Sequence, residues 1–198
     1  MKRELPHFYI GHSYGGNQEW FSDLFMRLGG CAAETACDIC IYLDLYQGTS
    51  LYPYDIGNLT KADYVHFGSR MKPFLHPRMS GIDKLSIFAE GFGDYLKSVG
   101  GSIRLSTVEG TEIYELAKQA LIAQIDSGMP VAFLCLMHRD KRFHDYEWHW
   151  FLLNGYDAAD DRLQVKAVTY SAYEWLDFEA LWNTGYANRG GMVLPELI

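Results

Sequence analysis

The chain has 198 residues, 48% of them apolar, and a formal net charge of −8 with histidine neutral. That length suits one domain, whose core can bury about 70% of the surface the unfolded chain exposes, so disulfide staples are not needed. The acidic balance argues against a general nucleic-acid binder, which needs clustered Lys and Arg, and no run of about 18 apolar residues marks a membrane span.

In chain order, residues 19–28 carry apolar side chains at 20, 21, 24, 25 and 28, the spacing of one helical face, and Gly29-Gly30 stops that helix. Residues 31–46 follow as an Ala-rich segment without Gly or Pro, apolar nearly all round, which predicts a central buried helix. Thr60 with Asp63 three positions on predicts a capped helix to about residue 72. Residues 81–98 read as an amphipathic helix ended by Gly100-Gly101, and Thr111 as the cap of a helix reaching Gly128. The pattern then changes to short apolar runs: strands over 130–137 and 149–156, and an alternating, half-exposed strand over 163–170 entered by a turn at 157–161. A short helix over 177–182 and a strand over 191–194 close the chain. Helices first and antiparallel strands second predict an α+β domain spanning 1–198, with a helical lobe at 17–128 packed on one side of a sheet lobe at 129–198.

Met1-Lys2-Arg3 begins basic, yet no apolar run of signal length follows, so the four cysteines read as thiols in a cytoplasmic protein. Cys31 stands out among them. It follows two glycines and opens a helix, where unsatisfied N–H groups and the helix dipole favour thiolate. A thiol nucleophile needs a base, and His149 differs from the other six histidines by opening a hydrophobic strand.

Cys31-Ala32-Ala33 at the head of a buried helix, followed far downstream by His149-Trp150-Phe151-Leu152-Leu153-Asn154-Gly155-Tyr156-Asp157, resembles the papain-like cysteine peptidases, in particular the branch of double-glycine leader peptidases. The resemblance spans most of residues 12–194 and implies a papain-like fold with the Cys31 helix packed on the sheet. It implies Cys31 as nucleophile, His149 as general base and acid, and Gln18 as oxyanion donor. The implied partner is a peptide or small amide or thioester substrate, with no cofactor. Gln18 also reads as a helix-capping side chain. The family places Asn or Asp on the strand after the His strand, where this chain has Ala167-Val168-Thr169-Tyr170. Thr169, Asp145 and Asn154 are the candidates to orient the imidazole. The expected function is a cysteine-dependent hydrolase or acyltransferase; the alternative is a catalytically silent domain that binds a peptide or protein in the inherited cleft. Specificity is expected from cleft walls at about 47–60 and 66–80.

Two rival sites compete for the same residue types. Cys37-Asp38-Ile39-Cys40 is a CxxC, but it falls inside a helix and lacks a second pair for zinc. His138, His144 and His149 with Asp140 and Asp145 offer metal-ligating side chains without the HExxH order, and read more simply as a polar loop delivering His149.

Overall fold

The computed structural model describes residues 1–78, 81–159 and 162–198. Strand β1 (Lys2–Glu4) is followed by a small hairpin of β2 (Tyr9–Ile10) and β3 (Ser13–Tyr14). The helix expected over 19–28 is broken in two. Asn17 Oδ1 accepts from Glu19 N–H and caps a 3-10 turn at Gln18–Trp20, and Asp23 Oδ1 accepts from Met26 N–H to start α1 (Leu24–Gly29). Two competing side-chain caps within one apolar-periodic segment divide it.

Helix α2 (Cys31–Gln47) is buried continuously from Cys31 to Leu43 and ends on Gly48 with φ +72, the left-handed closing position. Helix α3 (Lys61–Met71) has the predicted cap, with Thr60 Oγ1 accepting from Asp63 N–H and donating to Asp63 Oδ2. Helix α4 (Leu85–Ser98) begins four residues later than its apolar pattern suggests, after Gly81 at φ +70. An unanticipated strand, β4 (Ile103–Glu109), precedes α5 (Tyr114–Asp126). Thr111 does not cap α5: the residue at its head is Ile113, and the helix has no side-chain cap.

The second half consists of β5 (Val131–Cys135), a 3-10 segment at Lys141–Tyr146, β6 (His149–Ala159), β7 (Arg162–Thr169), β8 (Ala172–Asp177), α6 (Phe178–Trp182) and β9 (Gly190–Leu197). The turn expected over 157–161 lies partly in β6, and its Asp160 and Asp161 fall outside the described residues. Strand β7 is more buried than its alternation implies. Even Lys166 is covered, its ammonium donating to Glu4 Oε2 (3.0 Å) and Tyr14 Oη (2.8 Å) and lying 4.0 Å from the Tyr173 ring centroid.

All strand pairs are antiparallel. The sheet runs β4-β9-β5-β6-β7-β8, and β1 pairs the far half of β6, so the sheet draws strands from outside residues 129–198. The fold is α+β, but helices cover both faces of the sheet rather than one. Phe133 and Phe151 meet Phe178 and Trp182 of α6 or one another, while Trp150 stacks on Phe88 of α4 at 4.2 Å. Strand β5 and the first eight residues of β6 are buried throughout, and such strands need cover on both sides. Among the described residues, no helix is long and apolar enough to cross a membrane.

Candidate active site

Helices α1 and α2 meet end to end at Gly30, where a Cβ would lie 2.2 Å from Met26 O. This close joint sets Cys31 at the first position of α2. Its thiol feels the backbone N–H groups of Trp150, Ala32 and Cys31 itself, all favouring thiolate. Burial outweighs them, and with a smaller push from Glu34 it moves the thiol up to about 11. The expectation that a helix start lowers this pKa is therefore corrected: the N–H groups are present, but the burial of the sulfur outweighs them. At neutral pH Cys31 is a thiol.

His149 opens β6 opposite Cys135 of β5. Its Nε2 lies 2.7 Å from Thr169 Oγ1, and its ring stacks on Tyr170 with centroids 4.7 Å apart and planes within 2°. Burial pushes His149 down to about 4, so the ring is neutral at pH 7. Of the three candidates to orient it, Thr169 is the one in contact. Asn154 lies five residues along the same strand, about 16 Å away at the usual rise, and Asp145 lines a neighbouring recess of about 330 Å³ with Thr169, Tyr170 and Glu174. Tyr170 and Ser171 form the two-residue β7–β8 loop, both at positive φ (50° and 66°) as in a type I′ turn. Trp148, just before His149, also has φ 54°. Left-handed backbone at non-glycine residues costs about 1–2 kcal/mol each, and all three described instances flank the histidine.

Gln18 is buried beside these groups. Its Nε2 donates to Arg27 O at 3.3 Å, and its Oε1 has no partner among the described residues. The capping role read for Gln18 belongs to its neighbour Asn17. Gln18, Cys31 and His149 line one cleft of about 720 Å³. Among the described residues its walls differ from those expected: residues 47–60 contribute nothing and 66–78 contribute Arg78, while Phe25, Leu28, Glu147, Trp148 and Tyr170 supply most of the rest.

Sequence reading missed a polar cluster below the thiol. Glu34 and Asp38 are buried on α2, and burial raises both carboxyl pKa values, Glu34 further through the neighbouring Asp38. Asp38 accepts from Gly16 N–H (3.2 Å to each oxygen) and from Tyr64 Oη–H (2.7 Å). The available signal was an i, i+4 pair of acids, one face of a helix otherwise apolar all round. The CxxC sulfurs are buried free thiols whose pKa values are also raised by burial. His138 has both ring nitrogens engaged, Nδ1 with Asp140 N–H and Nε2 with Ala180 O, each at 2.9 Å. Among the described residues no group of three His, Cys, Asp or Glu side chains converges as a metal site would require. No protein-family model matches this chain, and no curated protein matches it either.

Proposed function

We propose that the protein is a papain-like cysteine hydrolase or acyltransferase acting on a peptide, amide or thioester bond. The observation that carries this reading is that Cys31, His149 and Gln18 line one cleft while Thr169 engages His149 Nε2. An imidazole protonated on Nε2 donates to Thr169 Oγ1 and keeps Nδ1 as the base. Starting from a neutral pair, Cys31 Sγ attacks the carbonyl carbon as His149 takes the thiol proton. The oxyanion is met by Cys31 N–H and by a Gln18 Nε2–H, whose amide is held by the Arg27 carbonyl. Collapse passes the proton from His149 to the leaving group and leaves a thioester. Water or an acceptor nucleophile, deprotonated by His149, then releases the acyl group and restores the thiol.

The test is alkylation of Cys31 by iodoacetamide, followed by peptide mass spectrometry from pH 4 to 10 in wild type and H149A, alongside p-nitrophenol release from p-nitrophenyl acetate. Cys31 should react well ahead of the other cysteines, with an acid limb well below the ordinary histidine value of about 6.5, because His149 stays neutral down to about 4. H149A should slow both reactions at least about 100-fold. A Cys31 that titrates as an ordinary thiol and ignores H149A defeats the reading. The raised thiol pKa favours one second reading, a silent cleft that binds a peptide without turning it over. An inert Cys31 with no p-nitrophenol release, in a chain that still binds peptide, selects it.

A further inference from the structure

Gln18 opens its 3-10 turn directly after a loop, residues 15–17, that owes its position to groups far from it in sequence. Gly16 N–H reaches both carboxylate oxygens of Asp38 at 3.2 Å, and Asp38 in turn accepts from Tyr64 Oη–H of α3 at 2.7 Å. The fit leaves no room for side chains. A Cβ on Gly15 would lie 2.7 Å from Asp38 Oδ2 and 2.9 Å from His7 Nε2, and one on Gly16 would lie 1.9 Å from Tyr64 Oη. Gly15 also has φ +78, which other residues adopt only under strain. Asn17 Nδ2 ties the next residue to Ser171 Oγ at 2.9 Å, in the turn whose Tyr170 stacks on His149.

Burying a carboxyl is unfavourable unless hydrogen bonds compensate it. Here the compensating donors are a loop amide and a tyrosine from another helix. Resting on the reading of Cys31 and Gln18 given above, we propose that Asp38 is a positioning residue which, braced by Tyr64, docks the Gly15-Gly16 loop against α2 so that the Gln18 amide stands beside the Cys31 thiol. The helix that presents the nucleophile thereby also holds the oxyanion donor, fixing their spacing through one rigid element.

The role separates from general support of the fold because alkylation of a thiol needs no oxyanion donor, whereas acyl transfer does. D38A should lower kcat for p-nitrophenyl acetate about tenfold with KM little changed, leave the iodoacetamide rate of Cys31 within about twofold, and lose nothing further when Gln18 is already Ala. D38N, whose amide oxygen still accepts from Gly16, should keep most of the activity. If D38A does not fold, Y64F carries the same expectation at smaller size. An equal kcat loss in the wild-type and Q18A backgrounds, or a parallel fall in alkylation, overturns the proposal. Amide hydrogen exchange of Gly16 is read in the same proteins and needs no turnover. It should speed up in D38A and Y64F, and unchanged exchange overturns the docking even in a protein that proves inactive. If wild type neither alkylates selectively nor turns over, the catalytic reading fails, while faster Gly16 exchange in D38A still establishes that Asp38 holds the loop.

Discussion

The two walls of the cleft are built on opposite principles. On one side, His149 is buried, hydrogen-bonded to Thr169, stacked flat on Tyr170 and framed by three residues in left-handed backbone. On the other, α1 is six residues long, buries Met26, and leaves Phe25 63% and Leu28 74% exposed beside the same cavity. Of the apolar residues spaced as one helical face, Phe21 is buried, whereas Phe25 and Leu28 form a bare apolar lip. Proton transfer and charge stabilisation demand fixed geometry, whereas apolar contact is non-directional and tolerates variation. The fixed wall suits chemistry and the bare lip suits recognition.

The largest test of that division lies on the fixed side. Q18A should lower kcat for p-nitrophenyl acetate by about 10² to 10³ and leave Cys31 alkylation nearly unchanged, as kinetics on the same preparation would read out. Next in size are the groups that aim His149. T169V removes the hydroxyl partner of Nε2 at nearly constant volume and should lower kcat about tenfold. Y170G removes the stacked ring while relieving backbone strain at φ 50°, so kcat should fall severalfold while the melting temperature holds or rises. A drop in melting temperature as large as the drop in rate would mean that Tyr170 is packing, not aim.

Much of this wall was legible because its signals are local. The unbroken apolar segment after Gly30 gave α2 to within a residue, the Thr60 cap marked α3, the short helix over 177–182 was placed to within a residue, and His149 stood at the head of an apolar strand. The missing parts depend on contacts between distant segments. Strand β4 pairs with β9 about ninety residues away, and its own burial pattern is irregular. The His149–Thr169 approach depends on strand register, including a register shift between Leu153 and Tyr156 for which Gly155 is the one local sign, and a glycine there does not say by how much the pairing shifts. Tyr170-Ser171 makes a two-residue hairpin turn without the Asn or Gly that usually signals one. The exposure of Phe25 and Leu28 was hidden for a different reason: their spacing is the ordinary mark of burial, and a site on the surface uses the same residues.

Below both walls, Glu34 gives a pH-dependent prediction of smaller size. Burial, then the neighbouring Asp38, raises its folded-state pKa well above the unfolded value. Stability from this group is therefore full below about pH 4.3 and is lost as pH rises through the raised pKa. His7 and His149 act in the opposite sense. Burial holds them near 3 and 4 in the folded state, so stability falls as pH drops below about 6.5. E34Q should thus raise the melting temperature at pH 8 and gain less at pH 5, measured by thermal unfolding in matched buffers. A gain of equal size at both pH values would assign it to packing instead of charge.

The smallest effects should come from the bare lip, and their smallness is what defines it. F25S and L28S remove exposed side chains, so each should change stability by no more than about 0.5 kcal/mol and leave kcat for p-nitrophenyl acetate as it is. Contact with a longer acyl chain is a different matter, since covering an apolar side chain from water is worth about 25 cal/mol per Å² of surface removed. KM for p-nitrophenyl hexanoate should therefore rise severalfold in each variant while KM for the acetate stays put, as steady-state assays of the two esters would register. If F25S and L28S lower kcat for both esters, or unfold the protein as readily as a core substitution does, α1 belongs to the same rigid frame as His149 and the contrast between the walls is lost.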